Sequence, residues 1–125
     1  MGKIITCSLS QMHLYAADLK FFIVLRPNNV SVKGLRHKPD LAPSAELFQW
    51  VQQHKHEPDW FIEYAKRFQY DIQHRPGLRD AIMQLEQLAQ ENTVLLVCFC
   101  AEPNQCHRSL LAEELRRRGA NVEMH

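Results

Sequence analysis

The segment that most constrains the fold lies in the last third of the chain, between residues 93 and 119. It begins with the almost unbroken apolar run TVLLVCFC, continues with the polar residues AEPNQ, and ends with CHRSLLAEELRRRG. A buried strand, a short loop and an amphipathic helix in this order form half of a βαβ unit. In open α/β sheets, ligands usually bind where such a strand ends and such a helix begins.

Other apolar patterns predict the remaining elements of an α/β fold. Short β-branched or apolar runs predict strands, and spacings of three and four residues predict helices. The predicted strands are residues 3–8, 21–25, 94–100 and 121–124, and the predicted helices are residues 45–53, 59–72, 78–91 and 108–118. This alternation predicts one three-layer, Rossmann-like α/β domain over residues 1–125. It would contain a mainly parallel sheet of about four strands, with helices on both faces.

A long connection, NNVSVKGLRHKPDLAP, separates the second predicted strand from the first predicted helix. It carries the basic residues Lys33, Arg36, His37 and Lys38. Connections of this length without structure of their own are uncommon and are often functional. A solvated surface loop explains the same composition. The sequence leaves both interpretations open.

Composition narrows the class of protein. The formal net charge is +1, which gives no strong signal for nucleic acid, and no apolar run approaches the length of a membrane span. The N-terminal residues do not resemble a secretory signal. The four cysteines of this 125-residue chain are crowded near one strand and do not resemble a secreted disulfide framework. These features predict a cytoplasmic protein with reduced thiols.

The loop after the central strand concentrates groups that can do chemistry. Cys106 lies where the last helix begins, and free N–H groups and the helix dipole at such a position favour a thiolate. We therefore predict Cys106 as a nucleophile, with His107 or Glu102 as the acid or base. Arg108 and the helix N-terminus form a predicted anion site.

Right-handed crossovers would bring the ends of the predicted strands to one edge of the sheet. Residues that follow other strands would then join the loop, and Cys100 lies at the end of its own strand. The predicted ligand-binding residues are Arg108, Arg26, Ser8, Ser10 and Cys100. Structural roles explain four of the loop residues as well. Cys106 would be a covered helix-start residue and His107 a residue that hydrogen-bonds the loop backbone. Arg108 would form an ion pair, and Glu102 would belong to a turn.

The cysteines admit further interpretations. Side chains alternate along a strand, so Cys98 and Cys100 are expected on the same side, with Cys98 as a small core residue. Zinc-type donors are present in Cys100, Cys106, His107 and Cys7. The spacing Cys-x5-Cys-His is not that of common structural zinc sites, so no metal is predicted. A Cys100–Cys106 disulfide that acts as a redox switch remains an alternative.

The run VLLVCFCAEPNQCHRSLLAEELRRRGANVEMH resembles the C-terminal signature of the family called domain of unknown function 488, which includes the YeaO-like proteins. The pattern is a strand, then Cys100-x-Glu102, a short loop and Cys106-His107-Arg108. The segments LAPSAELFQWVQQ and DWFIEYAKRFQYDI are also similar to the family. The resemblance covers essentially the whole chain. It implies an α/β fold with a motif typical of an active or binding site, but no particular reaction or cofactor.

Two functions are compatible with these residues. The first is a small enzyme or binding domain for an anionic, phosphorylated or nucleotide-like molecule. The second is a non-enzymatic thiol redox or metal sensor, or an interaction module, that uses Cys100 and Cys106. The sequence identifies no cofactor, no partner macromolecule and no oligomeric state.

Overall fold

The computed structural model describes residues 2–125 and contains a five-stranded, wholly parallel sheet. The strands are β1 (Lys3–Ser8), β2 (Leu19–Phe22), β3 (Leu35–His37), β4 (Thr93–Cys98) and β5 (Val122–Met124). Their order across the sheet is β3-β2-β4-β1-β5. The prediction of a Rossmann-like α/β fold is confirmed, but the sheet has five strands where about four were predicted.

Four α-helices connect the later strands. They are α1 (Ala45–His54), α2 (Trp60–His74), α3 (Pro76–Leu88) and α4 (His107–Arg117). Ser44 caps α1 because its side chain accepts a hydrogen bond from the Leu47 N–H at 3.1 Å. Pro76 begins α3, where a missing N–H group costs nothing. None of the helices in residues 2–125 is long and apolar enough to cross a membrane.

Strand β4 forms the centre of the hydrophobic core. Residues 94–97 are fully buried, because β1 and β2 flank the strand and other elements cover its faces. This double burial explains the continuous apolar run, which is typical of parallel strands. In the register, Ser8 lies opposite Cys98, and Phe22 lies opposite Val97. The three strands therefore end at one edge of the sheet, as predicted.

The crossovers distribute the helices unevenly between the two faces. The chain crosses the sheet in one direction from β1 to β2, and in the opposite direction from β3 to β4 and from β4 to β5. Right-handed crossovers place all four α-helices on one face and the 3-10 helix Leu9–Leu14 on the other. Contact between α2 and α4 agrees with this arrangement. Helices were predicted on both faces of the sheet, but in residues 2–125 the second face carries the 3-10 helix Leu9–Leu14 in place of an α-helix.

The unpredicted strand β3 lies within the long basic connection. It pairs in parallel with β2, so that Lys20, Phe21 and Phe22 lie opposite Leu35, Arg36 and His37. A strand of three residues that includes Arg and His has no apolar alternation from which it could be recognised. Strand β2 also covers residues 19–22 where 21–25 was predicted. The interpretation of residues 28–43 as one unstructured loop was wrong.

Gly2 provides a test of the packing between the start of β1 and the segment that follows α3. Its N–H donates to the Gln90 carbonyl at 3.1 Å, and a Cβ atom added to Gly2 would collide with the main-chain oxygens of Ala89 and Asn92. Main-chain atoms cannot rotate away, so we expect Gly2→Ala to lower the free energy of unfolding by about 1–3 kcal/mol. Urea denaturation of both proteins measures this difference.

Gly77→Ala is the matched control. Gly77 lies in the first turn of α3, and an added Cβ atom would lie 3.7 Å from Asp40 Oδ1, which is an ordinary contact. We expect this variant to be neutral or up to about 1 kcal/mol more stable, because alanine loses less backbone entropy on folding. Equal destabilisation of the two variants would contradict the packing around Gly2.

Candidate functional site

Three cysteine side chains meet between the end of β4 and the start of α4. Cys98 is the last residue of β4, Cys106 precedes the first residue of α4, and Cys100 lies in the loop between them. The Sγ atoms of Cys98 and Cys106 are 3.0 Å apart, and all three Sγ atoms lie within 4.8 Å of one another. This confirms the prediction that Cys98 and Cys100 lie on the same side. We call these three residues the thiol cluster.

The thiol cluster is open to solvent at one residue only. Cys98 and Cys106 are each 1% exposed, whereas Cys100 is exposed. Cys106, the predicted nucleophile, is therefore covered by the surrounding protein. An external molecule reaches the cluster at Cys100.

Arg108 is fully buried and directs its guanidinium group at the cluster. Its Nη1 donates to Cys98 Sγ at 2.9 Å and to the Cys100 carbonyl at 2.5 Å, and its Nε donates to the His125 carbonyl at 3.0 Å. Within residues 2–125, Nη2 has no hydrogen-bond partner. Burial opposes the charge, but the sulfurs of Cys98 and Cys106 together outweigh it and raise the pKa of Arg108. The cluster therefore lies against a permanent buried cation.

The imidazole of His107 is held in one orientation. Its Nε2 lies 2.6 Å from the carbonyl oxygen of Ile23. Because a carbonyl only accepts, Nε2 carries the proton and Nδ1 presents its lone pair. Nδ1 lies 3.7 Å from Cys106 Sγ. Burial lowers the pKa of His107, so this residue is a neutral imidazole at neutral pH.

The three thiols do not ionise independently. Contacts from the sulfurs of Cys106 and Cys98 lower the pKa of Cys100, and the charge of Arg108 acts in the same direction. The same contacts with Cys100 raise the pKa of Cys106 and of Cys98. The amino end of α4 further favours negative charge at this position. These directions favour a thiolate on the exposed Cys100 over one on Cys98 or Cys106.

A cavity of about 860 Å³ opens beside the cluster. Arg26, Cys100, Glu102, Cys106 and His107 contribute to its wall, so the structure brings together five of the eight predicted site residues. Aromatic and amide side chains also line the wall. These residues are Phe48, Trp60, Tyr64, Phe99, Asn28, Gln52 and Gln105.

The other three predicted site residues, Ser8, Ser10 and Arg108, do not line this cavity. The hydroxyl oxygens of Ser8 and Ser10 lie 3.0 Å apart, and Ser8 Oγ also donates to the Gln11 side chain at 3.1 Å. These bonds stabilise the start of the 3-10 helix Leu9–Leu14. The Nε and Nη1 atoms of Arg108 donate to the Cys98 sulfur and to main-chain oxygens. In this structure the three side chains serve internal contacts.

Comparison with known proteins identifies the family. The family model DUF488-N3a, described as the active DUF488-N3 subclade, matches residues 15–119. The chain belongs to the DUF488 family. No curated protein and no solved structure matches it. The match confirms the family resemblance seen in the sequence, but it does not test the Cys-x-Glu and Cys-His-Arg motif.

Two parts of this DUF488 domain's site were not predicted as such. Cys98 was interpreted as a core residue, and it is buried, but its sulfur also belongs to the cluster. Trp60 and Tyr64 of α2 were not among the predicted site residues, yet they line the cavity. Burial raises the pKa of Tyr64, so its hydroxyl stays protonated. The alternation of side chains along the strand, which places Cys98 on the same side as Cys100, could have predicted Cys98 as a site residue. The helical pattern gave no signal that Trp60 and Tyr64 would line a cavity.

Proposed function

We propose that this DUF488 domain binds a small anionic, nucleotide-like molecule in the cavity and that the Cys100 thiolate reacts with it. The observation that carries the proposal is an exposed sulfur with a lowered pKa at the wall of a cavity of about 860 Å³. The thiolate is the nucleophilic form of cysteine, and a nucleophile needs access to its substrate. Cys100 meets both conditions, whereas Cys106 is covered.

The neighbouring groups divide the supporting roles. Cys106 and Cys98 stabilise the thiolate through their sulfurs, and Arg108 does so through its charge. Glu102 is exposed and lines the same cavity, so it is the group placed to exchange protons with a bound molecule. His107 is buried, neutral and bonded to Ile23, which suits a residue that positions Cys106.

Positive charge and aromatic surface at the cavity favour a nucleotide-like anion. Arg26 lines the cavity and makes no ion pair within residues 2–125, and Lys55 lies on the same wall. The first turn of α4 contains no acidic residue, so its N–H groups add to the positive potential. Trp60 and Phe99 offer apolar surface for a planar group.

The reactivity of Cys100 has a characteristic dependence on pH. A thiol with a lowered pKa is already ionised at pH values below the pKa of an ordinary cysteine. Its alkylation rate therefore does not rise with pH in the way that the rate of an ordinary thiol does. We expect iodoacetamide to modify Cys100 at a nearly constant rate from about pH 6 to pH 9, and faster than an ordinary thiol by about tenfold at the acidic end. Peptide mass spectrometry after timed quenching measures the rate.

Two variants complete that measurement. Cys100→Ser should abolish the fast labelling. Cys7→Ala should leave it unchanged, because burial raises the pKa of Cys7 to about 11 and Cys7 is fully covered. A rate that rises steeply through about pH 8.5, or primary labelling of Cys106, would exclude Cys100 as the reactive thiolate.

Anion binding is tested by protection of the same thiol. We expect inorganic phosphate or a nucleoside monophosphate to slow alkylation of Cys100 in the wild-type protein. In Arg26→Gln, the concentration that gives half-protection should rise about tenfold or more, because a charge-assisted hydrogen bond is lost.

Arg36→Gln, a variant of an exposed arginine on β3 outside the cavity, is the matched control for that experiment. We expect it to be protected as well as the wild-type protein. If neither anion protects Cys100 from alkylation, or if both arginine variants are protected equally, the anion-binding part of the proposal is wrong. The reactive thiolate would then be judged from the alkylation rates alone.

A thiol redox switch is the second candidate function, because the sulfurs of Cys100 and Cys106 lie within 4.8 Å of each other. In the reaction, the Cys100 thiolate attacks a peroxide oxygen and releases hydroxide, which gives a sulfenic acid. The Cys106 thiol then attacks the sulfenic sulfur, and water leaves as the disulfide forms. Cys106 is the expected partner because only one residue separates Cys98 from Cys100 along the chain.

Intact-mass spectrometry after brief peroxide treatment tests this switch. We expect the mass of two hydrogen atoms to be lost, and the peptides of Cys100 and Cys106 to be joined. Cys106→Ser should instead accumulate oxygen adducts on Cys100, while Cys7→Ala should behave as the wild-type protein does. Oxygen adducts without a disulfide in the wild-type protein would rule out the switch.

A further inference from the structure

We propose that Cys98, Cys100 and Cys106 together bind one thiophilic divalent metal ion of the zinc and cadmium class. The juxtaposition that points to this site is the meeting of their three sulfurs, all within 4.8 Å of one another. The site rests on the geometry and charge of the cluster and does not require the reaction proposed above. Its sulfur from Cys98 was not among the donors considered from the sequence.

The spacing of the sulfurs suits a shared ion. A tetrahedral zinc ion binds thiolates at about 2.3 Å, which places neighbouring sulfurs about 3.8 Å apart. The Cys98–Cys106 separation of 3.0 Å needs to open by about 0.8 Å to reach that value. A small rotation about the Cα–Cβ bonds provides this movement, since the two cysteines belong to different elements. All three sulfurs already lie on one side of the loop that joins β4 to α4.

Charge selects a divalent ion. Three thiolates around a divalent cation carry one net negative charge, and the fully buried guanidinium of Arg108 lies 2.9 Å from one of the sulfurs. No aspartate or glutamate side chain in residues 2–125 pairs with Arg108. The complex and Arg108 are therefore neutral together. A monovalent ion would leave two negative charges against one cation, which is costly in a buried position.

The fourth position of the ion faces the cavity. Cys98 and Cys106 are each 1% exposed, so the open side of the cluster is the side where the exposed Cys100 lines the cavity. His107 Nδ1 lies 3.7 Å from Cys106 Sγ but falls outside the group of the three sulfurs. Its Nε2–H donates to the Ile23 carbonyl, as the outer nitrogen of a histidine beside a metal usually does. Three protein ligands with an open fourth position are typical of zinc sites that bind water or a substrate.

Titration of the full-length, reduced and chelator-treated chain tests the site. We expect one Cd²⁺ ion per chain, with the ultraviolet sulfur-to-metal charge-transfer absorption of three thiolates, and one Zn²⁺ ion in competition with a chromophoric chelator. Zn²⁺ should also block alkylation of Cys100, because a coordinated thiolate is no longer free to react. Absence of stoichiometric binding of either ion would overturn the proposal.

Cysteine variants identify the ligands. Cys98→Ser, Cys100→Ser and Cys106→Ser should each lower the affinity by about a hundredfold or more, and Cys7→Ala should leave it unchanged. Cys100 is exposed, so its serine variant keeps the fold and decides the question even where a buried variant fails to fold by circular dichroism. Unchanged affinity in Cys100→Ser would overturn the three-sulfur site.

The outcomes separate this inference from the proposed function. Fast alkylation of Cys100 without metal binding would overturn the metal site alone. Stoichiometric metal binding by a chain whose Cys100 alkylates at an ordinary rate in the metal-free state would overturn the reactive thiolate alone. A His107→Ala variant that loses the ion while Cys100→Ser retains it would overturn the three-thiolate ligand set.

Discussion

The buried guanidinium of Arg108 is the interaction on which the site depends. Removing a charged group from water costs several kcal/mol unless hydrogen bonds and opposite charge compensate for it. Arg108 finds these partners in the Cys98 sulfur and in the main-chain oxygens of Cys100 and His125. It thereby joins the end of β4, the following loop and the segment after β5. The positions of the cluster sulfurs follow from this arrangement.

Arg108 also helps to explain which of the three thiols carries the negative charge. A fixed positive charge and the amino end of α4 favour one thiolate, and mutual repulsion prevents the neighbouring thiols from ionising as well. The negative charge is least costly on the sulfur that water reaches, which belongs to Cys100. The same electrostatic environment suits a reactive thiolate, a disulfide or a bound cation. The cavity beside Cys100 determines what can approach.

Much of the fold was predictable because its signals are local. Residues 94–97 are apolar without interruption because β4 is buried on both faces, and Ser44 marks the start of α1 because its side chain accepts a hydrogen bond from a free N–H group of the helix. Strand β3 was missed for the opposite reason. Its backbone is held in a strand by pairing with β2, and its side chains show no pattern of their own. The fifth strand could therefore be recognised only from the pairing of residues 35–37 with residues 20–22.

The sequence by itself determined that a parallel sheet ends beside the loop of residues 99–106, and that Cys98 and Cys100 lie on one side of it. Both follow from strand periodicity and crossover handedness, which are properties of short segments. Only the tertiary structure decided that Cys106 is sealed, that Arg108 points to sulfur, and that residues of α1 and α2 wall the cavity. Burial and electrostatic environment depend on elements far apart in the chain, so no local pattern encodes them.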